Sequence, residues 1–190
     1  LASLSSRLIY DLNHALETDG SFELRRTLLH AVAEKLESRD DLSQPVLFIL
    51  ISCYHDLGTL YASADFDNGA KHCFGKALRL LDSVDENSST CLVRSQIYCR
   101  LGGMMMKVSD FDGAEFMLKS GVEMCMEVSR ETGPDFVSRY LSDLYLALGN
   151  LYKRTGKIQE ASECYKLFGQ YADGVEEKVA DPADKYLVFE

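Results

Sequence analysis

The sequence predicts an all-α protein built from repeated antiparallel helix pairs, about four in all. Three observations carry this. First, an aromatic, a Leu-Gly pair and a bulky residue recur in one register. They read Tyr54-x-x-Leu57-Gly58-x-x-Tyr61, Tyr98-x-x-Leu101-Gly102-x-x-Met105 and Tyr145-x-x-Leu148-Gly149-x-x-Tyr152. Second, an Ala follows each Gly by twelve residues (Ala70, Ala114, Ala161). Phe74, Leu118 and Tyr165 lie four further on, and Ala77, Gly121 and Phe168 three beyond those. That i, i+4, i+7 spacing lines one face of a helix. Third, all three prolines fall at element boundaries, and Pro45 and Pro134 suit the first turn of a helix, where no N–H is needed.

Taken in order, residues 4–44 read as a degenerate first repeat. Leu8, Leu12, Ala15 and Leu16 are apolar, Asp19-Gly20-Ser21 makes a turn, and Phe22 to Leu36 is a second amphipathic run. The Leu-Gly pair is missing there. Residues 45–86, 89–131 and 134–172 form the three clear repeats. A mid-helix Gly costs about 1 kcal/mol against Ala. Its use is close approach: with no side chain, the partner helix can come near. One pair cannot bury its apolar face alone, whereas stacked pairs can. Asp65-Phe66-Asp67-Asn68-Gly69-Ala70 and Asp110-Phe111-Asp112-Gly113-Ala114 read as inter-helix turns with an Asp at the helix start, and the first has one extra residue between Phe and Ala. In the tail, 173–190, Gly174 is expected to end the helix near Tyr171. The apolar Tyr186-Leu187-Val188-Phe189 is expected to cap the last repeat or to dock on a partner.

The motif resembles the tetratricopeptide repeat, with its W-x-x-L-G-x-x-Y in one helix and A-x-x-x-F in the next. The spacings from Gly58 to Gly102 (102 − 58 = 44) and from Gly102 to Gly149 (149 − 102 = 47) exceed the common period of about 34 residues. The excess is assigned to longer helices, because the segments between repeats are short. Long-helix repeats of this kind are similar to those of kinesin light chains and of the LGN/Pins spindle-orientation proteins. The resemblance implies a right-handed superhelical solenoid with a concave groove lined by the first helix of each pair. Carried over by register from each Gly, the groove positions are Ser52, His55 and Thr59, then Gln96, Cys99, Gly103 and Met106, then Asp143, Leu146, Asn150, Lys153 and Arg154. The degenerate repeat contributes Asp11. The carboxylate clamp of chaperone-binding relatives is expected to be absent, because its Lys and Asn places hold His55 and Thr59. Asn150, Lys153 and Arg154 form the best polar anchor, since Asn can pair with a peptide amide and Arg can hold a carboxylate through two bonds.

Composition narrows the function. The 190 residues carry 20 basic and 30 acidic side chains, a net charge of −10. The charge is spread evenly, at −3 over 1–44, −2 over 45–94, −2 over 95–141 and −3 over 142–190. With no basic stripe, nucleic acid is disfavoured, and a basic or amphipathic protein or peptide partner is favoured. No apolar run reads as a membrane span and no signal peptide is visible. Leu rather than Met at position 1 reads as a piece excised from a longer chain.

The six cysteines form no C-x-x-C pair and no zinc spacing, and read as reduced core thiols of an intracellular, cytoplasmic protein. All six methionines fall between Met104 and Met126 and read as core filler, apart from Met106 on the groove. The four histidines sit in no triad pattern, so catalysis is not expected, and neither a cofactor nor a metal is implied. The leading expectation is a scaffold or adaptor that captures a partner's peptide or helix. The second is a structural subunit of a motor, cytoskeletal or ciliary assembly, touching partners through edges or tail. Self-association stays open in both.

Overall fold

The computed structural model describes residues 22–39 and 42–176. Among the described residues there are seven helices and no strand. They are α1 (Phe22–Glu37), α2 (Gln44–Ser63), α3 (Asp67–Leu81), α4 (Ser88–Lys107), α5 (Phe111–Thr132), α6 (Pro134–Arg154) and α7 (Ile158–Glu176). The expectations for Asp11, for the turn at residues 19–21 and for residues 177–190 lie outside the described residues. The chain divides into two compact units, Leu1–Asp85 and Glu86–Glu190.

In the first unit α2 packs on both α1 and α3. That explains its composition. A helix covered on two sides buries more than one stripe, and Leu47, Leu50, Ile51, Tyr54, Leu57 and Leu60 are all buried. By length and composition α2 could cross a membrane, and 56% of its most apolar window is buried inside the fold. The sequence expectation of no such run is corrected here: the polar Ser52, His55, Asp56 and Thr59 do not offset its Ile, Leu and Val content. The expected core Pro–helix relation holds, with Pro45 in the first turn of α2 and Pro134 opening α6.

In the second unit α4 packs on α5, α5 on α6, α6 on α7, and α4 also on α6. Its core holds Leu92, Leu118, Cys125, Val137, Leu141, Leu144 and Leu151. Met105 and Met106 pack against it, Met104 is itself buried, and Met126 stays exposed. Asn87 starts α4 with a reciprocal cap: its Oδ1 accepts from the Ser89 and Thr90 amides at 2.9 and 3.1 Å, and the Thr90 hydroxyl accepts from the Asn87 amide at 2.8 Å. Between α5 and α6 stands Gly133 alone, at φ 91°, a backbone state that L side chains adopt only with strain.

The motif glycines do what their cost implies. A Cβ on Gly58 would lie 2.5 Å from the Phe74 ring, one on Gly102 2.8 Å from Leu118 and one on Gly149 2.6 Å from the Tyr165 ring. In each pair the blocking side chain is the residue sixteen after the Gly, on the following helix. The three alanines are buried beside these contacts.

The turns inside the pairs share one geometry. Seven residues after the motif glycine stands a left-handed residue: Asp65 (φ 58°), Ser109 (φ 63°) and Gly156 (φ 79°). The next amide reaches back to the residue three after the motif glycine, Phe66 to Tyr61 at 2.9 Å, Asp110 to Met105 at 3.0 Å and Lys157 to Tyr152 at 2.9 Å. This is the six-to-one closure of a helix C-terminus. The turns are therefore equal in length, and the extra residue shifts only the Phe. Asp110 caps α5 through the Gly113 amide at 3.0 Å, as expected. Asp65 does not start α3. It takes the left-handed position instead, and Phe66 occupies the cap with no side-chain bond. Gly174 does not end α7, which continues to Glu176; one helical Gly is a cost of about 1 kcal/mol, not a stop.

Candidate functional site

The groove positions carried over by register fall into two groups. On α2, Ser52 is exposed and its hydroxyl donates to the Phe48 carbonyl at 3.0 Å. His55 is half-buried, with Nδ1 3.2 Å from the Asp56 carboxylate and its ring 6.3 Å from that of Phe74. The Thr59 hydroxyl is buried and makes no hydrogen bond among the described residues. These side chains are taken up by their own unit, and they form no polar cluster.

The positions on α4 and α6 are brought together. One electrostatic influence and one direct contact pass between them. At one end the Cys99 thiol of α4 is pushed up to about 12, first by burial and then by the Asp143 carboxylate of α6. At the other end Arg154 of α6 donates from Nη1 to the Met106 carbonyl of α4 at 2.8 Å, and its guanidinium lies 5.1 Å from the centroid of the Phe111 ring. The cation thus adds a second donor to a carbonyl that already accepts from the Ser109 amide at 3.2 Å, at the C-terminal end of α4 where the helix dipole favours it. α4 packs on α6, and Arg154 at the end of α6 reaches the last turn of α4, so the two helices run side by side in parallel.

Ahead of that contact in the sequence of each helix lie Gly103 on α4 and Leu146 and Asn150 on α6. A Cβ on Gly103 would meet nothing within 4 Å. Leu146 is 37% exposed, unusual for a Leu in the middle of a helix of a packed unit. Asn150 is exposed, and its Oδ1 accepts from the Tyr165 hydroxyl at 2.9 Å. Asp143 and Lys153 are exposed at the two ends, and Gln96 is half-buried. The anchor of Asn150, Lys153 and Arg154 is therefore partly engaged already, Asn150 with α7 and Arg154 with α4.

Sequence reasoning missed a second layer that holds these helices. Glu115 of α5 accepts from the Tyr152 hydroxyl at 2.9 Å and pairs with Lys119 at 2.7 Å and Lys157 at 3.1 Å. Hydrogen bonding by Lys119 leads the causes that hold its carboxyl down at about 2. Nothing in the sequence pattern marks these partners, which are 37 and 42 residues apart.

Nucleophile and metal chemistry find little here. Four cysteines are buried and two half-buried, all free, and burial raises every thiol, Cys53 to about 12 and Cys91 to about 11. A protonated thiol is a poor nucleophile and ligand. Among the described residues no group of three His, Cys, Asp or Glu side chains could hold a metal ion. No protein-family model matches the chain, and no curated protein does.

Proposed function

We propose that this chain is a non-catalytic, intracellular protein-binding scaffold of tetratricopeptide type, a right-handed solenoid of helix pairs. In this reading the face of α4 and α6 holds a linear segment of a partner protein. The observation that carries the proposal is the threefold repetition of one packing device: Gly58 under Phe74, Gly102 under Leu118 and Gly149 under Tyr165. A repeat that builds parallel first helices leaves their shared face for binding. That face holds an exposed Leu146, an open Gly103 and charged residues at both ends. The raised thiols argue against cysteine catalysis.

The test is a capture experiment with wild-type protein and an Asp143→Lys/Lys153→Glu double variant, both shown folded by circular dichroism. These two side chains are exposed, and Arg154 is left in place because it supports α4. Partners retained by the wild type and lost by the variant support the face. An identical partner set sinks it.

A second reading has one observation in its favour. Val108, Phe116 and Ile158 are each more than 60% exposed and belong to no predicted groove position. Val108 and Ile158 flank the turns inside the pairs and Phe116 lies in the second turn of α5. In a structural subunit these would be edge contacts, and Phe116→Glu would then release partners that the double variant keeps.

A further inference from the structure

Among the described residues, four helical glycines are notches in which an added Cβ would come within 3 Å of a bulky apolar side chain. Gly58 takes Phe74, Gly102 takes Leu118, Gly149 takes Tyr165 and Gly121 takes Leu144. Gly103 follows Gly102 and so points about 100° further round α4. It carries the same helical cost of about 1 kcal/mol, yet nothing lies within 4 Å of where its side chain would start. Gly169 on α7 is also open, but no predicted groove residue of a neighbouring helix is tied to its level. Met106, one turn after Gly103, is bonded by Arg154 of α6, and α4 packs on α6.

We propose that Gly103 is the receptor notch for one bulky apolar anchor residue of a partner's linear segment, which carries a carboxylate on the Lys153 side of that anchor. This deepens the reading of the α4–α6 face and rests on it. The anchor class follows from the chain's own usage, since Phe, Leu and Tyr fill the other notches. Leu146 is the exposed apolar residue among the α6 groove positions. The direction follows from charge complementarity. Lys153 and Arg154 make one end of the face basic, and Asp143 makes the other acidic. The whole chain, at −10, attracts a basic partner from a distance. Within a screening length of about 8 Å, however, the local groups decide orientation. One helical turn is about 5 Å, so the carboxylate falls within about four residues of the anchor.

The probe is a displayed library of random twelve-residue peptides selected on the full chain, followed by synthesis of the selected peptides. They are then titrated against wild type, Gly103→Leu, Gly103→Ala and Lys153→Glu, with circular dichroism on each. Gly103→Leu starts its side chain where nothing lies within 4 Å and raises helix propensity, so loss of fold is not expected. Selected peptides should share a Phe, Tyr or Leu with an acidic residue to one side. Gly103→Leu should weaken them on the order of tenfold or more, Gly103→Ala less, and Lys153→Glu severalfold. Peptides lost with Lys153→Glu but indifferent to Gly103→Leu overturn the notch and leave the binding face standing. No selected peptide, or peptides indifferent to both variants, overturns the face and the notch with it.

Discussion

Both units tie three helices together with a tyrosine, a glutamate and a lysine, but they draw the tyrosine from different places in the same motif. In the first unit Tyr54, four before the motif Gly, donates to Glu37 of α1 at 2.5 Å, and Lys76 of α3 closes on both, at 3.0 Å from the carboxylate and 2.7 Å from the phenol. In the second unit Tyr152, three after the motif Gly, donates to Glu115 of α5, and Lys157 next to α7 closes on the carboxylate. In each case a first helix is clasped to the helix before it and to the start or middle of the helix after it. The other tyrosine of each motif has different partners: Tyr145 stacks on Tyr171 with ring centroids 5.8 Å apart, and the Tyr61 hydroxyl lies 2.8 Å from His30 Nε2. The repeat thus specifies where helices approach, and leaves open which aromatic secures them.

The glycine notches differ in what fills them, and this is where the largest effect is expected. Phe74 is fully buried, so a side chain at Gly58 has nowhere to push it. Tyr165 is only half-buried and can swing outward at the cost of its bond to Asn150. Overfilling a packed core costs about 1–3 kcal/mol. Gly58→Leu should therefore lose about 3 kcal/mol and Gly149→Leu about 1–2 kcal/mol, read from urea denaturation of each variant. Equal losses would mean that the two notches are equally rigid and that burial of the filling ring does not decide the cost.

The two clasps should also part company in acid. Glu115 sits at about 2 against a usual 4.5, held down by Lys119 first and then by Lys157 and Tyr152, with burial opposing. A carboxyl depressed on folding adds stability above its unfolded value. That stability is lost as the pH falls from about 5 toward 2. With solvent screening the loss is about 1–2 kcal/mol. Glu37 is also lowered, chiefly by the Tyr54 hydrogen bond, and its side chain is the more exposed of the two. Its share should be the smaller. Glu115→Gln should flatten the acid limb of a stability–pH curve more than Glu37→Gln does; the reverse order would place the stronger clasp in the first unit.

What could be read from the sequence follows the same division. The Leu-Gly pair, the Ala twelve on and the residue four beyond were legible, because close helix approach demands small residues at fixed spacing. The clasps were not, because Glu115 and Lys157 read as ordinary surface residues until the register of α5 against α6 is known. Arg154 was expected as an anchor for a partner; its bond to Met106, 48 residues away, was not legible, because it depends on α4 and α6 lying side by side. Asp65 misled for a local reason: Asp is tolerated both at a helix start and in the left-handed region, and only the shared turn geometry selects the second. On the candidate face, Leu146 and Gly103 were placed by register alone; their exposure and open space come from the structure.

The smallest expected effect is the sharpest comparison, because it sets two neighbouring residues against each other. Gly102 and Gly103 share a helix, a turn and the same propensity cost. Gly102 faces Leu118, fully buried and 2.8 Å from any added Cβ, with the Ala114 carbonyl at 3.5 Å; Gly103 faces open space. Gly102→Ala must displace a core side chain, and its net loss should be about 1 kcal/mol after the helical gain is counted. Gly103→Ala displaces nothing and should gain about 0.5–1 kcal/mol. Opposite signs in the two denaturation curves would mean that stability alone favours a side chain at position 103. The glycine there would then answer to something that approaches α4 from outside the fold.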